Sequence, residues 1–326
     1  MREVGYACIN MTLSAKGVCA NRTLRLKTLE EKGYDYLCEL IESNMKCLKE
    51  ILVWNAESGY RLYRMSSEMF PFMSHQNWGY NIEDLPRSKE ILTLLKDIGE
   101  FARQTNQRLT FHPSPYNVLA SPTLSVVSNT ISELNAHSQI LDLMGFLPSH
   151  QNKINIHVGG AYGDKESALT RFCENFQKLH QNTKLRLTVE NDDKANLYSV
   201  KDLYQGVHQI IGIPIVFDYH HHIFNTGDLT EEQALKLALI TWPEKIVPIV
   251  HYSESKTLEQ GLDVVTPAHS DYIHGPINTY KQKVDVIFEC KAKELAVEQY
   301  LSALSAQEQP KVLNIDASSD YHAESK

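Results

Sequence analysis

Residues 214–222 read PIVFDYHHH, a short apolar run that ends in an aspartate, a tyrosine and three consecutive histidines. Its β-branched and aromatic residues predict a buried strand that ends at Phe217. Asp218 and the histidines follow at once, and these are side chains that bind metal ions. Ligands at the carboxyl end of a buried strand are typical of parallel α/β barrels, in which that end carries the active site.

Seven further apolar runs resemble this one, and together they predict eight strands, at residues 3–8, 61–65, 108–111, 153–156, 185–189, 214–217, 245–250 and 284–288. Successive runs start about 30 to 60 residues apart, which leaves room for a helix between each pair. Helical periodicity occurs in six of these gaps, at residues 24–51, 88–104, 124–144, 165–180, 199–211 and 230–239, and after the last strand, at residues 291–304. Eight strands that alternate with helices predict an α/β fold, a (β/α)8 TIM barrel that forms a single catalytic domain over residues 1–304. Residues 305–326 are polar and lack periodicity, so we expect a flexible tail.

A doubly wound open sheet is the alternative fold. No G-x-G-x-x-G follows the first predicted strand, so we expect no dinucleotide site and no nucleotide cofactor. No apolar run reaches the 18 residues that a membrane span needs, and the first ten residues do not read as a secretory signal. The six cysteines form no C-x-x-C pair, which predicts reduced thiols and a cytoplasmic location.

Metal-ligand residues follow six consecutive predicted strands: His112, His157, Glu190, Asp218, His251 and Glu289. His269 and Asp271 lie in the loop between the last two strands. So many carboxylates at one rim would repel each other unless cations neutralised them. The set contains imidazole and carboxylate but no thiolate, which suits Zn²⁺, Mn²⁺ or a related ion, and it is large enough for two or three ions.

A multi-metal cluster on a barrel rim favours phosphoester hydrolysis, in which one ion activates water and others stabilise the phosphate oxygens. Sugar isomerisation by hydride shift is the alternative, because both chemistries use this fold. The net charge of −8 argues against a nucleic-acid binder. That argument is weak, since metal-ligating carboxylates are counted as bare charge.

The motifs resemble those of the ultraviolet damage endonuclease family, which is related to endonuclease IV and to the xylose-isomerase-like barrels. The matching pieces occur in the family's order at residues 4–10 (VGYACIN), 74–75 (SH), 111–113 (FHP), 157–159 (HVG), 189–192 (VEND), 217–222 (FDYHHH), 251–253 (HYS), 269–273 (HSDYI) and 288–293 (FECKAK). The resemblance implies a DNA-repair endonuclease that nicks double-stranded DNA 5′ to cyclobutane pyrimidine dimers and 6-4 photoproducts. It leaves a 3′-hydroxyl and a 5′-phosphate. The implied cofactors are two or three divalent ions, Mn²⁺ first, with Zn²⁺ or Mg²⁺ as alternatives.

The resemblance also implies roles for particular residues. Glu190 would bridge two ions, one held with Asp218, His251 and Glu289 and the other with His112 and His157. A third ion would be held by His221, His269 and Asp271. His75 and Glu190 would be catalytic, and substrate contacts would come from Tyr6, Asn10 and Tyr116. The protein is expected to act as a monomer and, if prokaryotic, to associate with the nucleoid.

Two positions depart from the family pattern. Ile249 stands where the family often has a modified lysine ligand, and Pro115 stands where it tends to have a glutamine that probes the damaged strand. Basic side chains near the rim are candidates for phosphate contacts: Lys16, Arg22, Arg61, Arg64 and Lys256. An abasic-site nuclease, a sugar isomerase and a barrel that only binds metal or DNA stay open as alternatives.

Overall fold

Eight short strands form the centre of the molecule in the computed structural model, which describes residues 3–261 and 264–308. They are β1 (Val4–Ala7), β2 (Leu62–Arg64), β3 (Arg108–Thr110), β4 (Ile154–Ile156), β5 (Leu187–Glu190), β6 (Ile215–Val216), β7 (Ile249–Tyr252) and β8 (Asp285–Phe288). Each paired strand runs parallel to its neighbour. All eight predicted strands are therefore present.

The strands close into a barrel. Five pair in the order β3-β2-β1-β8-β7, and the other three pair in the order β4-β5-β6. Two parallel bridges join these groups, Phe111 with Ile154 between β3 and β4, and Asp218 with His251 between β6 and β7. The predicted (β/α)8 barrel is thus confirmed, and the open doubly wound sheet is wrong.

Helices connect the strands. They are α1 (Met11–Ser14), α2 (Leu26–Glu57), α3 (Ser88–Gln104), α4 (Leu124–Leu143), α5 (Lys165–Phe176), α6 (Gln181–Lys184), α7 (Val200–Leu203), α8 (Gln209–Ile211), α9 (Tyr219–Phe224), α10 (Glu231–Leu239), α11 (Thr257–Gln260) and α12 (Glu294–Glu308). A π-helical turn, Tyr204–His208, joins α7 to α8. Among the described residues, no helix is both long enough and apolar enough to cross a bilayer.

Several boundaries differ from the prediction. The helix predicted at 24–51 continues to Glu57 and bends at Gly33, whose φ of 70° is a conformation that favours glycine. Strand β7 begins only at Ile249, because Pro248 before it has no N–H to donate to a ladder. His251 therefore lies inside its strand. The final helix extends to Glu308, and residues 309–326 of the predicted tail lie outside the described residues.

Alternation along the strands separates two apolar layers. Outward side chains such as Tyr6, Phe111 and Phe217 belong to the large core that includes the surrounding helices. A smaller cluster contains Ala7, Leu62, Val216, Trp242, Ile249 and Ile287. Because alternate residues share a face, Glu289, two residues after Ile287, lies on the same side of its strand as this cluster. The apolar cluster thus forms the floor beneath the carboxyl-end side chains.

A close backbone approach fixes how α3 meets the end of α4. A Cβ added at Gly99 would lie 1.8 Å from the Met144 carbonyl oxygen, whereas one added at Gly206 would lie 2.5 Å from the flexible end of Leu169. We therefore expect Gly99→Ala to lower the free energy of unfolding by about 1–3 kcal/mol, through overpacking. Gly206→Ala, also helical, should cost clearly less. Urea unfolding measures both, and equal losses would contradict the backbone contact.

Candidate metal centre

Polar side chains from seven strands or strand ends meet inside the barrel at its carboxyl end. They are Arg64, His112, His157, Glu190, Asp218, His251 and Glu289. Strand alternation turns each of them inward, and closure of the barrel brings the ends of distant segments together. The predicted convergence of six ligands after six strands is therefore observed, with Arg64 as an additional member.

Glu190 occupies the centre of this cluster. Its Oε2 lies 3.1 Å from His112 Nε2 and 3.1 Å from His251 Nδ1, and its Oε1 lies 3.6 Å from His221 Nδ1. Two sets of side chains could each hold an ion, and both contain Glu190: His112, Glu190, His251 and Glu289 in one, and His157, Glu190 and His221 in the other. Within each set the ligand atoms lie within 4.8 Å of one another.

Buried polar atoms without a hydrogen bond test whether these residues suit cations. Among the described residues, Glu190 Oε1, Asp218 Oδ2, His157 Nδ1 and His251 Nδ1 are such atoms. Native proteins rarely leave buried polar atoms unpaired, and an ion is one explanation for such a group. Carboxylate oxygens and imidazole nitrogens are ligands for Zn²⁺ and related divalent metals. The chemistry of the set therefore fits two divalent ions that share Glu190.

The grouping differs in detail from the resemblance. His112 groups with His251 and Glu289 rather than with His157, and His157 groups with His221. Asp218 belongs to neither set, although its Oδ1 lies 3.9 Å from His221 Nδ1. Its role as a ligand therefore stays a prediction.

His221 faces the cluster because the chain turns sharply after Asp218. The Asp218 carboxylate caps α9 and accepts a hydrogen bond from the His221 N–H at 2.7 Å. Asp, Ser and Asn stabilise helix starts in this way, so the aspartate ends the strand and begins the helix. The chain thus leaves the extended form after Asp218, and His221 turns towards Glu190.

The predicted third ion has less geometric support. The rings of His221 and His269 are 6.1 Å apart, and His269 Nδ1 lies 2.7 Å from Ser253 Oγ. Asp271 is 39% exposed at its side chain and pairs with Lys256 Nζ at 3.0 Å. Neither His269 nor Asp271 belongs to the two sets, so their roles as ligands stay predictions.

The surroundings of the two central carboxylates, Glu190 and Glu289, favour their charged forms. Burial opposes ionisation of Glu190, yet His251 and His112 hold its pKa well below the usual range. Burial likewise opposes ionisation of Glu289, yet Arg64 and His251 hold its pKa well below the usual range. Both side chains are therefore ready to act as anionic ligands at neutral pH.

The other groups titrate differently. Burial raises the pKa of Asp218 to about 6, and burial lowers the pKa of His112 to about 4. Burial also acts to lower the pKa of His157, but Asp192 and Glu190 outweigh it and raise this pKa to about 10. For His221 the carboxylates of Asp218 and Glu190 outweigh burial and raise the pKa to about 9. The neighbouring carboxylates therefore favour the protonated forms of His157 and His221.

Four residues around the cluster were not predicted as partners of the candidate ligands, and one of them, Arg64, was predicted only as a candidate for phosphate contacts. Arg64 pairs with Glu289, and Asp192 Oδ1 lies 3.1 Å from His157 Nδ1. Lys153 Nζ lies 3.3 Å from His251 Nε2, and burial lowers the pKa of this lysine to about 7. Asn155 donates a hydrogen bond to Glu190. All four lie two or four residues from a candidate ligand or at the end of a strand, which is the signal that alternation could have given.

The predicted substrate residues occupy different surroundings. Tyr6 is completely buried among Tyr60 and Tyr63, and its OH donates to Asn55 and accepts from Asn10. Asn10 is buried as well and caps α1 through the Leu13 N–H. Neither side chain reaches solvent in this conformation, so their predicted contact with a lesion has no geometric support.

Two other predicted residues are exposed. Tyr116 is 86% exposed in the loop between β3 and α4. His75 is exposed in the loop after β2, where its Nδ1 accepts from Asn77 and Trp78. It lines a cavity of about 880 Å³ along α4, and none of its recorded contacts reaches the described ligand cluster. Its catalytic role stays a prediction.

The two departures from the family pattern are also visible. Ile249 is fully buried in the apolar floor and offers no ligand atom. Pro115 precedes the exposed Tyr116 in the same loop. Of the basic candidates for phosphate contacts, Lys16 and Arg22 are exposed, while Arg61 donates to backbone carbonyls near the opposite end of β2.

Fold and site together define a (β/α)8-barrel protein with a candidate metal centre at the carboxyl ends of its strands. A sequence model of the family described as UV-endonuclease UvdE matches residues 2–319. The chain therefore belongs to the UV-endonuclease UvdE family, and the resemblance found in the sequence is confirmed.

Individual relatives agree with this assignment. A UV-damage endonuclease from Schizosaccharomyces pombe is 35% identical over 324 residues, which are 96% of this chain and 52% of that protein. The chain thus spans about half the length of this relative. A UV DNA damage endonuclease from Bacillus cereus is 33% identical over 289 residues, or 86% of each chain. The crystal structure of SacUVDE is 33% identical and superposes with a TM-score of 0.81, covering 94% of this chain and 99% of that one.

Metal binding should release protons. His157 and His221 have pKa values of about 10 and about 9, above the ordinary 6.5 of histidine, so both are protonated near pH 7.5 without metal. These raised values stabilise the metal-free fold below about pH 6.5, and the stabilisation is lost as the pH rises through 9 to 10.

Because only neutral imidazole binds a cation, we expect Mn²⁺ binding at pH 7.5 to release about two protons. Calorimetry in buffers of different ionisation enthalpy counts them, and His157→Gln should lower the count by about one. A binding enthalpy that is the same in every buffer would contradict this assignment.

Proposed function

We propose that this protein is a metal-dependent DNA-repair endonuclease that nicks the phosphodiester 5′ to ultraviolet photoproducts, including cyclobutane pyrimidine dimers and 6-4 photoproducts. The products are a 3′-hydroxyl and a 5′-phosphate. The observation that carries the proposal is the position of Glu190 in both ligand sets at the mouth of the barrel. Membership of the UV-endonuclease UvdE family supports the substrate class.

The residues that would hold the ions are Glu190 with His112, His251 and Glu289 on one side, and with His157 and His221 on the other. Bound divalent ions, with Mn²⁺ the first candidate, supply a water of lowered pKa and stabilise the charge that develops on a phosphodiester. The protein's own part is to hold these ligands in place and to keep the carboxylates ionised. Asp192 lies beside His157 and orients its imidazole, as carboxylates commonly do behind metal-binding histidines.

Arg64 gives the cluster a permanent cation. Its guanidinium pairs with Glu289, and the side chain is 13% exposed, so it lies at the boundary between the cluster and solvent. An arginine in this position neutralises one carboxylate when ions are absent. Guanidinium binds carboxylate and phosphate with the same geometry, so Arg64 would also suit a phosphate oxygen of the substrate.

Lesion selection would depend on the deformability of damaged DNA. A photodimer is already poorly paired and partly unstacked, so extruding it costs less than extruding two normal bases. Tyr116 is suited to enter such a weakened duplex, since its ring is 86% exposed on a loop at the same face as the cluster. We assign it the role of a wedge.

One loop at this face suits the DNA backbone despite the net charge of −8. Residues 8–25 contain Lys16, Arg22 and Arg25, all exposed, and no Asp or Glu. The first part of this loop is fixed by Glu294. Its buried carboxylate accepts hydrogen bonds from Met11 N and Thr12 N at 2.8 and 2.7 Å. A fixed, purely basic loop beside the cluster favours phosphate binding.

Removing the shared carboxylate tests the proposed chemistry. Glu190→Gln keeps the size of the side chain but removes the charge that serves both ligand sets, so we expect nicking to fall at least about 100-fold. The assay compares irradiated with untreated supercoiled plasmid in the presence of Mn²⁺. Glu232→Gln, an equal change of charge on exposed α10, should nick like the wild type. Activity near the wild-type level in Glu190→Gln would contradict the proposal.

Tyr116→Ala tests the wedge. Aromatic stacking on a base contributes about 1–3 kcal/mol, so we expect nicking of irradiated DNA to fall by about 10- to 100-fold. Tyr36→Ala is the control, because Tyr36 lies in α2 and packs against Lys32. The same comparison on abasic DNA separates this enzyme from an abasic-site nuclease, and unchanged rates on both substrates would remove the wedge role.

A further inference from the structure

A layer of uncharged polar side chains lies one step below the ligand cluster. Asn155 of β4 and Thr188 of β5 are paired across the two strands, and both are completely buried. Asn155 precedes His157 by two residues, and Thr188 precedes Glu190 by two residues, so all four side chains point into the barrel. Buried polar groups are costly unless they are paired, which makes their partners informative.

The two side chains form a directed chain of hydrogen bonds that ends on Glu190. The hydroxyl of Thr188 donates to Asn155 Oδ1 at 2.7 Å, and Asn155 Nδ2 donates to Glu190 Oε2. A carboxylate can only accept, so the amide must turn its NH₂ towards Glu190 and its oxygen towards Thr188. Each partner thus fixes the orientation of the next.

This contact acts on one oxygen of Glu190 only. Oε2 meets Asn155, His112 and His251, while Oε1 faces His221 at 3.6 Å and lacks a hydrogen bond among the described residues. Holding Oε2 fixes the rotation of the carboxylate about its last bond. Oε1 is thereby directed to the set that contains His157 and His221.

We propose that Asn155, oriented by Thr188, is a positioning residue that sets the carboxylate plane of Glu190 so that one oxygen serves each ligand set. The inference rests on the proposed metal-dependent function. Asn155 is completely buried below the ligand layer, so it acts only through Glu190. Hydrogen bonds to ligating carboxylates commonly matter about 10- to 100-fold for metal affinity.

The test measures Mn²⁺ binding directly, by calorimetry and by the electron paramagnetic resonance of free Mn²⁺. Asn155→Leu removes the donor with little change in volume, and we expect Mn²⁺ to bind about 10- to 100-fold more weakly. Thr188→Val should weaken binding in the same direction but less, and Thr188→Ser, which keeps the hydroxyl, should restore it. Nicking at limiting Mn²⁺ should fall in parallel and recover when Mn²⁺ is in excess.

Asn152→Leu is the matched control. Asn152 is also buried, but its Nδ2 donates to the backbone carbonyl of Leu109 at 2.9 Å rather than to a ligand. Its loss should lower the stability and leave the Mn²⁺ affinity unchanged. If Asn155→Leu and Thr188→Val also lose only stability, the positioning role is overturned. If Asn155→Leu does not fold, the Mn²⁺ affinities of Thr188→Val and Thr188→Ser test the positioning role instead. Equal affinities of these two variants would overturn it.

Measurements on the wild-type protein distinguish a failure of the positioning role from a failure of the proposed function. A wild-type protein that binds Mn²⁺ and nicks irradiated plasmid, beside an Asn155→Leu variant with equal Mn²⁺ affinity, would overturn the positioning role alone. A wild-type protein that binds no Mn²⁺ and leaves irradiated plasmid intact would overturn the proposed function and the positioning role together.

Discussion

A single buried carboxylate, that of Glu190, imposes the strongest constraint on this structure. It is fully enclosed, and its pKa stays low only because imidazoles from β7 and from the end of β3 surround it. Those imidazoles reach it only when the barrel is closed, since His112, Glu190 and His251 come from segments far apart in sequence. An anion buried without partners would cost several kcal/mol, so the fold and the ligand cluster depend on each other.

The convergence of the candidate ligands could be predicted from the sequence because their position follows from a rule of the fold. Each ligand comes at or just after the end of an apolar run, where the parallel strands of a barrel deliver their side chains to one face. The rule needs only the end of the run, so it tolerated errors in where each strand begins. At β7 the predicted strand began several residues early, yet His251 was still identified.

The residues missed by the sequence lie within or below that layer. Asn155 is part of β4, Lys153 directly precedes that strand, and Arg64, predicted only as a phosphate contact, is part of β2. Their partners come from other strands. The contacts between these side chains depend on the register and closure of the barrel. A local sequence pattern predicts neither of them. The substrate role of Tyr6 stays a prediction. The family match suggested a contact with substrate, but alternation turns its ring outward into the layer between barrel and helices.

The apolar floor closes the barrel below the ligand cluster. It is formed by Ala7, Leu62, Val216, Trp242, Ile249 and Ile287. Arg108 closes it further, as its guanidinium donates to the carbonyls of His150, Gln151 and Val247 and to Asp285. The ligand cluster therefore lies at the carboxyl ends of the strands, away from this closed base. In the proposed function, DNA bound at that end would cover the side from which cations reach Glu190, so the ions would have to be in place before the duplex binds.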